Sequence, residues 1–423
     1  MIRRPLVSLA LSALSVAFVA CGGGGQTNGT GGKAGTGGAN AASGGAPNAG
    51  GSTGSGGRTN SGGRTGTGGN TATGTGGSTG TGGNTTTGTG GNTGTGGNTS
   101  GSGGVGTGGS SVSTWTCPSG PFAASPLPSG TTATATQIVG VPPAATINEN
   151  GTGTSIIEGA LWLDNALYFS EIASGFGLDS PASRILKLVG TTVSEFSADA
   201  GSNGLAIDGK GNIVSANHKV GGIVSFAVAS ATPTTLTAIY NGARLNSPND
   251  LTIRRDGTIF FTDPDYQASF PRPQAMNRVY KLAPGGAMPT QITDYMNEPN
   301  GITLSLDEKT LYVSGGQGVY QYPLAADSTV GAGTKLIDSL SSGTDGMGID
   351  CAGNLYVSSN TSIVIVNTAT KMEIGRINIT GAQSATNVAF GGPDRKTIFI
   401  TALGTGTQKG VFTLDLAIPG MPY

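Results

Sequence analysis

A six-fold repeat of about 45 residues constrains the fold of this chain more than any other feature. Each copy begins with a polar residue followed by a short apolar run, and the first residues are Glu158, Asn203, Asn249, Asn300, Asp345 and Asn387. In most copies a turn rich in Asp, Gly or Asn comes next, followed by a second run of alternating apolar residues. Alternating β-branched and aromatic residues broken by such turns are typical of antiparallel strands.

The length of the repeat indicates the architecture. Successive copies start 45, 46, 51, 45 and 42 residues apart, and a unit of that length holds four short strands with their turns. Four-stranded units repeated around an axis are the blades of a β-propeller, and no window has the 3.6-residue periodicity of a helix. The sequence therefore predicts an all-β, six-bladed β-propeller.

Glycine is concentrated in a segment that cannot belong to this propeller. Residues 22–112 consist largely of Gly, Thr and Asn, and 40 of the 77 glycines lie between Gly22 and Ser110. A segment with so few apolar side chains cannot offset its own ordering entropy, so we expect a disordered linker. The propeller is then predicted to occupy residues 113–423.

Residues 1–21 have the pattern of an export signal. Arg3 and Arg4 precede an apolar run that is shorter than the roughly 20 residues of a membrane span. The run ends in Phe-Val-Ala-Cys21, which resembles the lipobox of bacterial lipoproteins. That resemblance implies lipidation of Cys21 and a lipid-anchored location in the bacterial cell envelope, at the outer membrane or its periplasmic face. An ordinary cleaved signal peptide is the alternative.

Two cysteines remain once Cys21 is set aside, Cys117 and Cys351. An even pair in an exported protein allows a disulfide. Two buried, unpaired thiols are the alternative interpretation.

The charge distribution excludes one class of partner. Residues 113–423 carry 17 basic and 23 acidic side chains, whereas a nucleic-acid-binding surface needs an excess of Lys and Arg. We therefore expect no nucleic-acid partner. We also expect a monomer that meets the membrane only through its lipid anchor.

The first residue of each repeat is predicted to face the central channel, because the innermost strand of every blade lines it. Two carboxylates and four amides would then direct their oxygens at one axis. Such a set suits a hard cation with six to eight oxygen ligands, such as Ca²⁺. The alternative is that Asn and Asp serve local turns, but Glu158 is a poor turn residue. The repeat therefore predicts a metal site in the channel.

At these residues the sequence resembles the family of gluconolactonase, regucalcin (senescence marker protein) and luciferin-regenerating enzyme, over roughly residues 156–402. Glu158-Gly-Ala-Leu-Trp162 is similar to the family's E-G-P-x-W. Asn246-Ser-Pro-Asn-Asp250 and Phe261-Thr-Asp-Pro264 are similar to its N-S-P-N-D and F-T-D-P. Further matches are Pro299-Asn-Gly301, Asp345-Gly-Met347 and Asn387-Val-Ala-Phe-Gly-Gly392.

The resemblance implies roles for individual residues. The metal ligands would be Glu158, Asn249, Asn300 and Asp345, with Ca²⁺ expected and Mg²⁺, Mn²⁺ or Zn²⁺ as alternatives. Glu158 and Asp345 would be the catalytic carboxylates, with Asp345 as the general base. The substrate contacts would be Asn203, His218, Asn249 and Asn387, and Arg244 is a weaker candidate.

These expectations favour a divalent-metal-dependent hydrolase that opens a small lactone or ester. His218 is the only histidine, which argues against a Ser–His–carboxylate triad and excludes a His-rich zinc site. One alternative is a non-catalytic propeller that binds a ligand or protein around a structural metal. Another is the same site acting on aryl esters or phosphotriesters.

Overall fold

The computed structural model describes residues 115–141, 155–173, 181–337, 340, 343–404 and 406–421. These residues form 26 β-strands and a single-turn 3-10 helix at Gly406–Gln408. Across the described ranges no helix has the length and apolar character needed to cross a bilayer. The predicted signal peptide, Cys21 and the linker of residues 22–112 lie outside the described residues.

After β1 (Thr132–Gly140), the chain forms four antiparallel sheets of four consecutive strands. The first sheet consists of β2 (Ser155–Leu163), β3 (Ala166–Ala173), β4 (Ser183–Val189) and β5 (Thr192–Ser197). The second consists of β6 (Ser202–Ile207), β7 (Ile213–Asn217), β8 (Gly222–Ala227) and β9 (Thr232–Thr237). A short hairpin, β10 (Ile239–Tyr240) and β11 (Ala243–Arg244), precedes the third. The third sheet consists of β12 (Leu251–Ile253), β13 (Ile259–Asp263), β14 (Arg278–Leu282) and β15 (Thr290–Gln291). The fourth sheet consists of β16 (Pro299–Leu304), β17 (Thr310–Gly315), β18 (Gly318–Pro323) and β19 (Thr334–Ile337).

The remaining strands form one continuous eight-stranded sheet. They are β20 (Thr344–Ile349), β21 (Asn354–Ser359), β22 (Ser362–Asn367), β23 (Met372–Ile379), β24 (Ser384–Gly391), β25 (Thr397–Leu403) and β26 (Gly410–Asp415), together with β1. The order is β20-β21-β22-β23-β1-β26-β25-β24. Strand β1 runs parallel to β23, with Thr132 opposite Arg376, and antiparallel to β26, with Thr136 opposite Thr413. The N-terminal strand therefore joins two groups of strands that would otherwise end at open edges.

The arrangement confirms the all-β prediction and is propeller-like. The first strands β2, β6, β12, β16, β20 and β24 contact one another in that order, and β24 returns to contact β2. Within the part of the chain that the structure describes, four separate four-stranded sheets are present rather than the six that the repeat predicts. The physical reason is β1, whose backbone pairs on both sides and merges the last strands into one sheet.

The core lies between neighbouring sheets. Ala206 and Val214 of the second sheet pack against Leu251, Phe261 and Tyr280 of the third in one buried cluster. The rings of Phe261 and Tyr280 stack with their centroids 5.4 Å apart. Such contacts bury the alternating apolar side chains and fix the positions of the first strands.

A disulfide joins Cys117 to Cys351, with a Cα–Cα distance of 5.4 Å. It ties the segment before β1 to the turn that follows β20. Asp345 lies at the beginning of β20 and Cys351 lies beyond its end, so the disulfide and Asp345 are at opposite ends of that strand. At about 3.3 Å per residue, roughly 20 Å separates them.

Candidate active site

The polar residues predicted from the repeat lie at irregular points of the first strands. Strand pairing shifts between Glu158 and Leu161 in β2, and comparable shifts occur in β6, β16, β20 and β24. In the third sheet, Asn249 and Asp250 lie immediately before β12. The backbone N–H of Asn249 donates to the Thr262 carbonyl at 3.0 Å. A bulge re-aims side chains locally, so these polar residues leave the regular in-and-out alternation of the strand.

Glycine follows the polar residue where the next sheet comes closest. A Cβ atom on Gly159 would lie 2.1 Å from the Asn203 carbonyl oxygen, and one on Gly301 would lie 2.5 Å from the Asp345 carbonyl oxygen. Only a hydrogen atom fits at these positions. The first strands therefore approach closely enough to bring polar side chains of different sheets together.

Buried hydroxyl groups hold these positions, a repeated feature that was not singled out from the sequence. Ser170 donates to the Asn203 carbonyl at 2.6 Å, and Thr262 donates to the Asn300 carbonyl at 2.7 Å. Ser314 donates to the Asp345 carbonyl at 2.8 Å. Each donor lies on the second strand of one sheet and each acceptor on the first strand of the next. These bonds fix the backbone of the site residues across the sheet boundaries.

Three carboxylates interact electrostatically at the site: Glu158, Asp250 and Asp345. Glu158 is 7% exposed and Asp250 is 6% exposed, whereas Asp345 is half-buried. Burial, followed by repulsion from Asp345 and Asp250, raises the pKa of Glu158 well above its usual value. Burial and then Asp250 raise the pKa of Asp345 to about 7, and burial raises the pKa of Asp250 to about 7. Among the described residues that shift these three pKa values there is no Lys or Arg.

Amide side chains complete the site. The Asn300 side chain lowers the pKa of Asp345, and the Asn387 side chain lowers the pKa of Asp250, so each amide lies within reach of one carboxyl group. Asn203 and Asn249 are 2% and 5% exposed. The Asn249 carbonyl accepts a hydrogen bond of 2.7 Å from the Gly204 amide. All four predicted amides are therefore buried on the first strands or immediately before them.

His218 immediately follows β7, beside Pro181 and Arg244. It is fully buried, its Nε2 lies 2.9 Å from the Pro181 carbonyl oxygen, and burial lowers its pKa to about 4. Arg244 donates from Nη2 to the His218 carbonyl at 2.6 Å. None of the three carboxylates is among the groups that shift the His218 pKa. The structure thus brings the acids together with Asn300 and Asn387, and pairs His218 with Arg244 instead.

Two residues of the site were missed by the sequence reasoning. Asp250 occupies the position that glycine takes in four of the other repeats, such as Gly159 and Gly301, and that exchange is a signal that could have identified it. Tyr266 lies on the loop between β13 and β14, near Asn300 and Asp345. Loop residues outside the repeat give no comparable signal.

The donor set fits a hard divalent cation. Within the described ranges, no three His, Cys, Asp or Glu side chains converge as a metal cluster by themselves, so amide oxygens would have to complete a coordination sphere. Carboxylate and amide oxygens are the ligands that Ca²⁺ and Mg²⁺ prefer. A bound cation would also offset the repulsion that raises the pKa values of Glu158 and Asp345.

Fold and site together define an all-β, propeller-like protein whose first strands carry a buried cluster of acids and amides. The protein-family model described as the SMP-30/Gluconolactonase/LRE-like region matches residues 156–404 of this chain. The chain belongs to this family. The matched range includes Glu158, Asn249, Asn300 and Asp345.

Individual relatives agree with this assignment. The chain is 30% identical to a gluconolactonase from Zymomonas mobilis over 272 residues, which are 58% of this chain and 75% of the relative. It is 28% identical to a pentonolactonase from Haloferax volcanii over 174 residues, 36% of this chain and 59% of the relative. A solved gluconolactonase from Xanthomonas campestris has a TM-score of 0.53 at 25% identity, covering 71% of this chain and 98% of its own. Regucalcin from Agrobacterium tumefaciens, a calcium-binding protein, has a TM-score of 0.56 at 17% identity, covering 69% and 97%, and supports the fold alone.

Proposed function

We propose that this protein is a divalent-cation-dependent lactonase that opens a sugar lactone or a related cyclic ester. The observation that carries the proposal is the cluster of buried Glu158, buried Asp250 and half-buried Asp345, with no basic partner among the described residues that shift their pKa values. The family supports the same conclusion, because relatives at 30% and 28% identity are a gluconolactonase and a pentonolactonase. Both names denote hydrolases of sugar lactones.

Glu158, Asn249, Asn300 and Asp345 are the residues proposed to hold the cation, and Ca²⁺ is the expected ion. When bound, a divalent cation would polarise the lactone carbonyl and stabilise the negative charge that develops on its oxygen. The protein contributes the rigid placement of its oxygens. Hydroxyl-to-carbonyl bonds from Thr262 and Ser314 hold the backbone of Asn300 and Asp345 in place, which reduces the reorganisation needed during the reaction.

Asp345 is the proposed general base. It is the most exposed of the three carboxylates and therefore the one that water and substrate reach most easily. In its ionised form it can take a proton from the water that attacks the lactone carbonyl. The Asn300 side chain lowers the pKa of Asp345 and so favours that ionised form. Glu158, more deeply buried, would act beside it as the second catalytic carboxylate.

Asn203, Asn249 and Asn387 are proposed to contact the hydroxyl groups of the substrate, because amides both donate and accept hydrogen bonds. His218 is proposed to act as a neutral contact, since its lowered pKa keeps the ring uncharged at neutral pH. The substrate class that fits such a lining is a small polyhydroxylated lactone.

Two further statements belong to the proposal. We propose that the eight-stranded sheet consists of two blades, β20–β23 and β24–β26 with β1, joined at the β1–β23 pair. This would make six blades, in agreement with the six repeats. We also retain lipidation of Cys21, and hence a lipid-anchored location in the bacterial cell envelope, as a proposal from the sequence pattern.

The test uses the full chain on a panel of sugar lactones, aryl esters and phosphotriesters, each assayed with Ca²⁺ and with a chelator. We expect lactone turnover that the chelator abolishes and Ca²⁺ restores. Asp345→Asn should lower kcat about 10²- to 10⁴-fold, the usual contribution of a general base. Asp307→Asn, which changes a 60% exposed turn carboxylate, is the matched control and should leave turnover unchanged.

The remaining outcomes separate the alternatives. Chelator-sensitive turnover of aryl esters or phosphotriesters alone would keep the site and change the substrate. Undiminished lactone hydrolysis by Asp345→Asn would exclude Asp345 as the base. Absence of chelator-sensitive turnover on every substrate would favour a binding propeller with a structural metal.

A further inference from the structure

Asn249 and Asp250 are held in place differently from the other polar residues of the site. The other five first residues of the repeats lie within the first strands, where strand pairing fixes their backbone. Asn249 and Asp250 instead belong to residues 246–250, a segment without regular secondary structure that precedes the three-residue strand β12. Another part of the fold must therefore fix the 246–250 segment.

The 246–250 segment contacts the first strands of both neighbouring sheets. The backbone N–H of Gly204 on β6 donates to the Asn249 carbonyl at 2.7 Å. The backbone N–H of Ile302 on β16 donates to Oδ2 of Asp250 at 3.3 Å. A Cβ atom on Gly204 would clash with Oδ1 of Asp250. A small displacement of the segment would therefore change its contacts on both sides.

Asp263 anchors the first half of the segment. It is fully buried at the end of β13. Its Oδ2 accepts from the backbone N–H of Asn246 at 3.0 Å, and its Oδ1 accepts from the backbone N–H of Ser247 at 2.9 Å. Pro248, the next residue, has no N–H to donate. Two adjacent donors require two acceptor oxygens, which a carboxylate has and an amide does not.

The preceding residue of β13 anchors the second half. The backbone N–H of Asn249 donates to the Thr262 carbonyl at 3.0 Å, and that of Asp250 donates to the Thr262 hydroxyl at 3.1 Å. Together with the two bonds to Asp263, every backbone N–H of the segment has an acceptor on these two residues of β13. The Asp263 side chain supplies half of these acceptors.

We propose that Asp263 is a positioning residue that fixes the 246–250 segment and so places Asn249 and Asp250 at the proposed cation site. This inference rests on the proposed function, in which Asn249 is a ligand of the cation. Asp263 acts through the backbone and does not itself touch the ion. Replacement of such outer residues typically changes metal affinity or activity 10- to 100-fold.

The test compares the Ca²⁺ affinity of full-chain variants by isothermal titration calorimetry. Asp263→Asn keeps the size of the side chain and removes one acceptor oxygen, so one of the two N–H groups loses its partner. We expect this variant to bind Ca²⁺ about 10-fold more weakly or worse. Hydrogen exchange of the backbone should accelerate more at residues 246–250 than in β20.

Asp350→Asn is the matched control. Asp350 is also fully buried, and its Oδ1 accepts from the backbone N–H groups of Ala352 and Asn354 at 2.9 Å each. It immediately follows β20, at the opposite end of that strand from Asp345. The control should therefore lose stability in urea unfolding, as Asp263→Asn does, but keep the Ca²⁺ affinity of the wild type.

Wild-type Ca²⁺ affinity in Asp263→Asn, or an equal loss of affinity in Asp350→Asn, would overturn the positioning role. If Asp263→Asn does not fold, Ser247→Ala replaces it in the test. That variant removes a hydroxyl that donates to the Pro264 carbonyl at 2.8 Å and accepts from the Gln267 N–H at 3.2 Å. It should also weaken Ca²⁺ binding, and unchanged affinity would contradict the proposal.

The wild-type titration separates this inference from the function on which it rests. Absence of Ca²⁺ binding by the wild-type chain would overturn the cation site itself, and the positioning role with it. Binding by the wild type together with unchanged affinity in Asp263→Asn would overturn the positioning role alone.

Discussion

Replacing Asp250 by asparagine should stabilise this protein at high pH in the absence of a cation, although Asp250 is almost fully buried. Burial raises the pKa of Asp250 from 3.8 to about 7. At about 1.4 kcal/mol per pKa unit, ionising this group in the folded protein costs roughly 4 kcal/mol more than in the unfolded chain. The asparagine variant avoids this cost and also removes a charge that raises the pKa values of Glu158 and Asp345.

The gain is reduced by lost hydrogen bonds. Asp250 accepts from the Leu251 amide at 2.9 Å and from the Ile302 amide at 3.3 Å. Asparagine has one acceptor oxygen and can keep only one of these bonds, and an unsatisfied buried amide costs about 1–3 kcal/mol. The net expectation at pH 8 is therefore a stabilisation of about 1–3 kcal/mol.

The pH dependence distinguishes this explanation from a general packing effect. Because the folded-state pKa lies above the unfolded value, the folded protein binds the proton more tightly, and the destabilisation develops as the pH rises from about 4 to about 7. At pH 5 the wild-type carboxyl is largely protonated when folded, so most of the gain disappears and the lost hydrogen bond should leave Asp250→Asn equal to the wild type or less stable.

The assay is urea unfolding of the full chain with a chelator, at pH 5 and pH 8. Asp307→Asn is the control, because hydrogen bonding by Ser305 lowers the pKa of Asp307 and predicts a small change of the opposite sign. A loss of stability in Asp250→Asn that is equal at the two pH values would refute the electrostatic reasoning. With Ca²⁺ added, the wild type should gain more stability than the variant, because the variant presents one negative charge fewer to the ion.

Two further predictions concern the framework. Gly159→Ala should lower the free energy of unfolding by about 2–5 kcal/mol, since its φ is +60° and its Cβ would meet the Asn203 carbonyl. Gly190→Ala is the control, because Gly190 has the same φ but no atom within 4 Å of its Cβ position, and it should cost only about 1–2 kcal/mol. Equal losses of the two variants in urea unfolding would contradict the close approach. Reduction of the Cys117–Cys351 disulfide should cost about 2–4 kcal/mol and leave Ca²⁺ affinity unchanged, because the bond lies at the far end of β20 from Asp345; a parallel loss of affinity in calorimetry would show that the two ends are coupled.

The repeat carried enough information to predict the sheets, because each copy contains its own alternation and its own turn. It did not predict how β1 would pair. Residues 132–140 occur once, with small and polar residues in alternation, and nothing in them specifies a partner. Strand β1 pairs with β23 on one side and with β26 on the other, so the merged sheet was visible only in the structure.

The site was predictable to the extent that it follows the repeat. Glu158, Asn300 and Asp345 could be proposed as site residues because they hold equivalent positions of the repeat, and the structure places them on the first strands β2, β16 and β20. Asp250 was not identified, because it replaces a glycine rather than a polar residue of the repeat. Tyr266 lies on a loop outside the repeat, so its position near Asn300 could not be predicted from the repeat. The assignment of His218 to the substrate contacts stays a prediction, and its hydrogen bonds connect it to Pro181 and Arg244.

A second buried acid shows why the absence of a neutralising partner is informative. Glu171 is fully buried on β3, where it lies opposite Ile157, the neighbour of Glu158. Lys409 and Arg184 each approach a Glu171 oxygen to 2.6 Å, so its charge is compensated within the protein. The fold can therefore supply cations to a buried carboxylate at this end of the sheet. No Lys or Arg of the described residues shifts the pKa of Glu158, Asp250 or Asp345. Buried charges without compensation cost stability, and they are found where the charge is used for binding or chemistry.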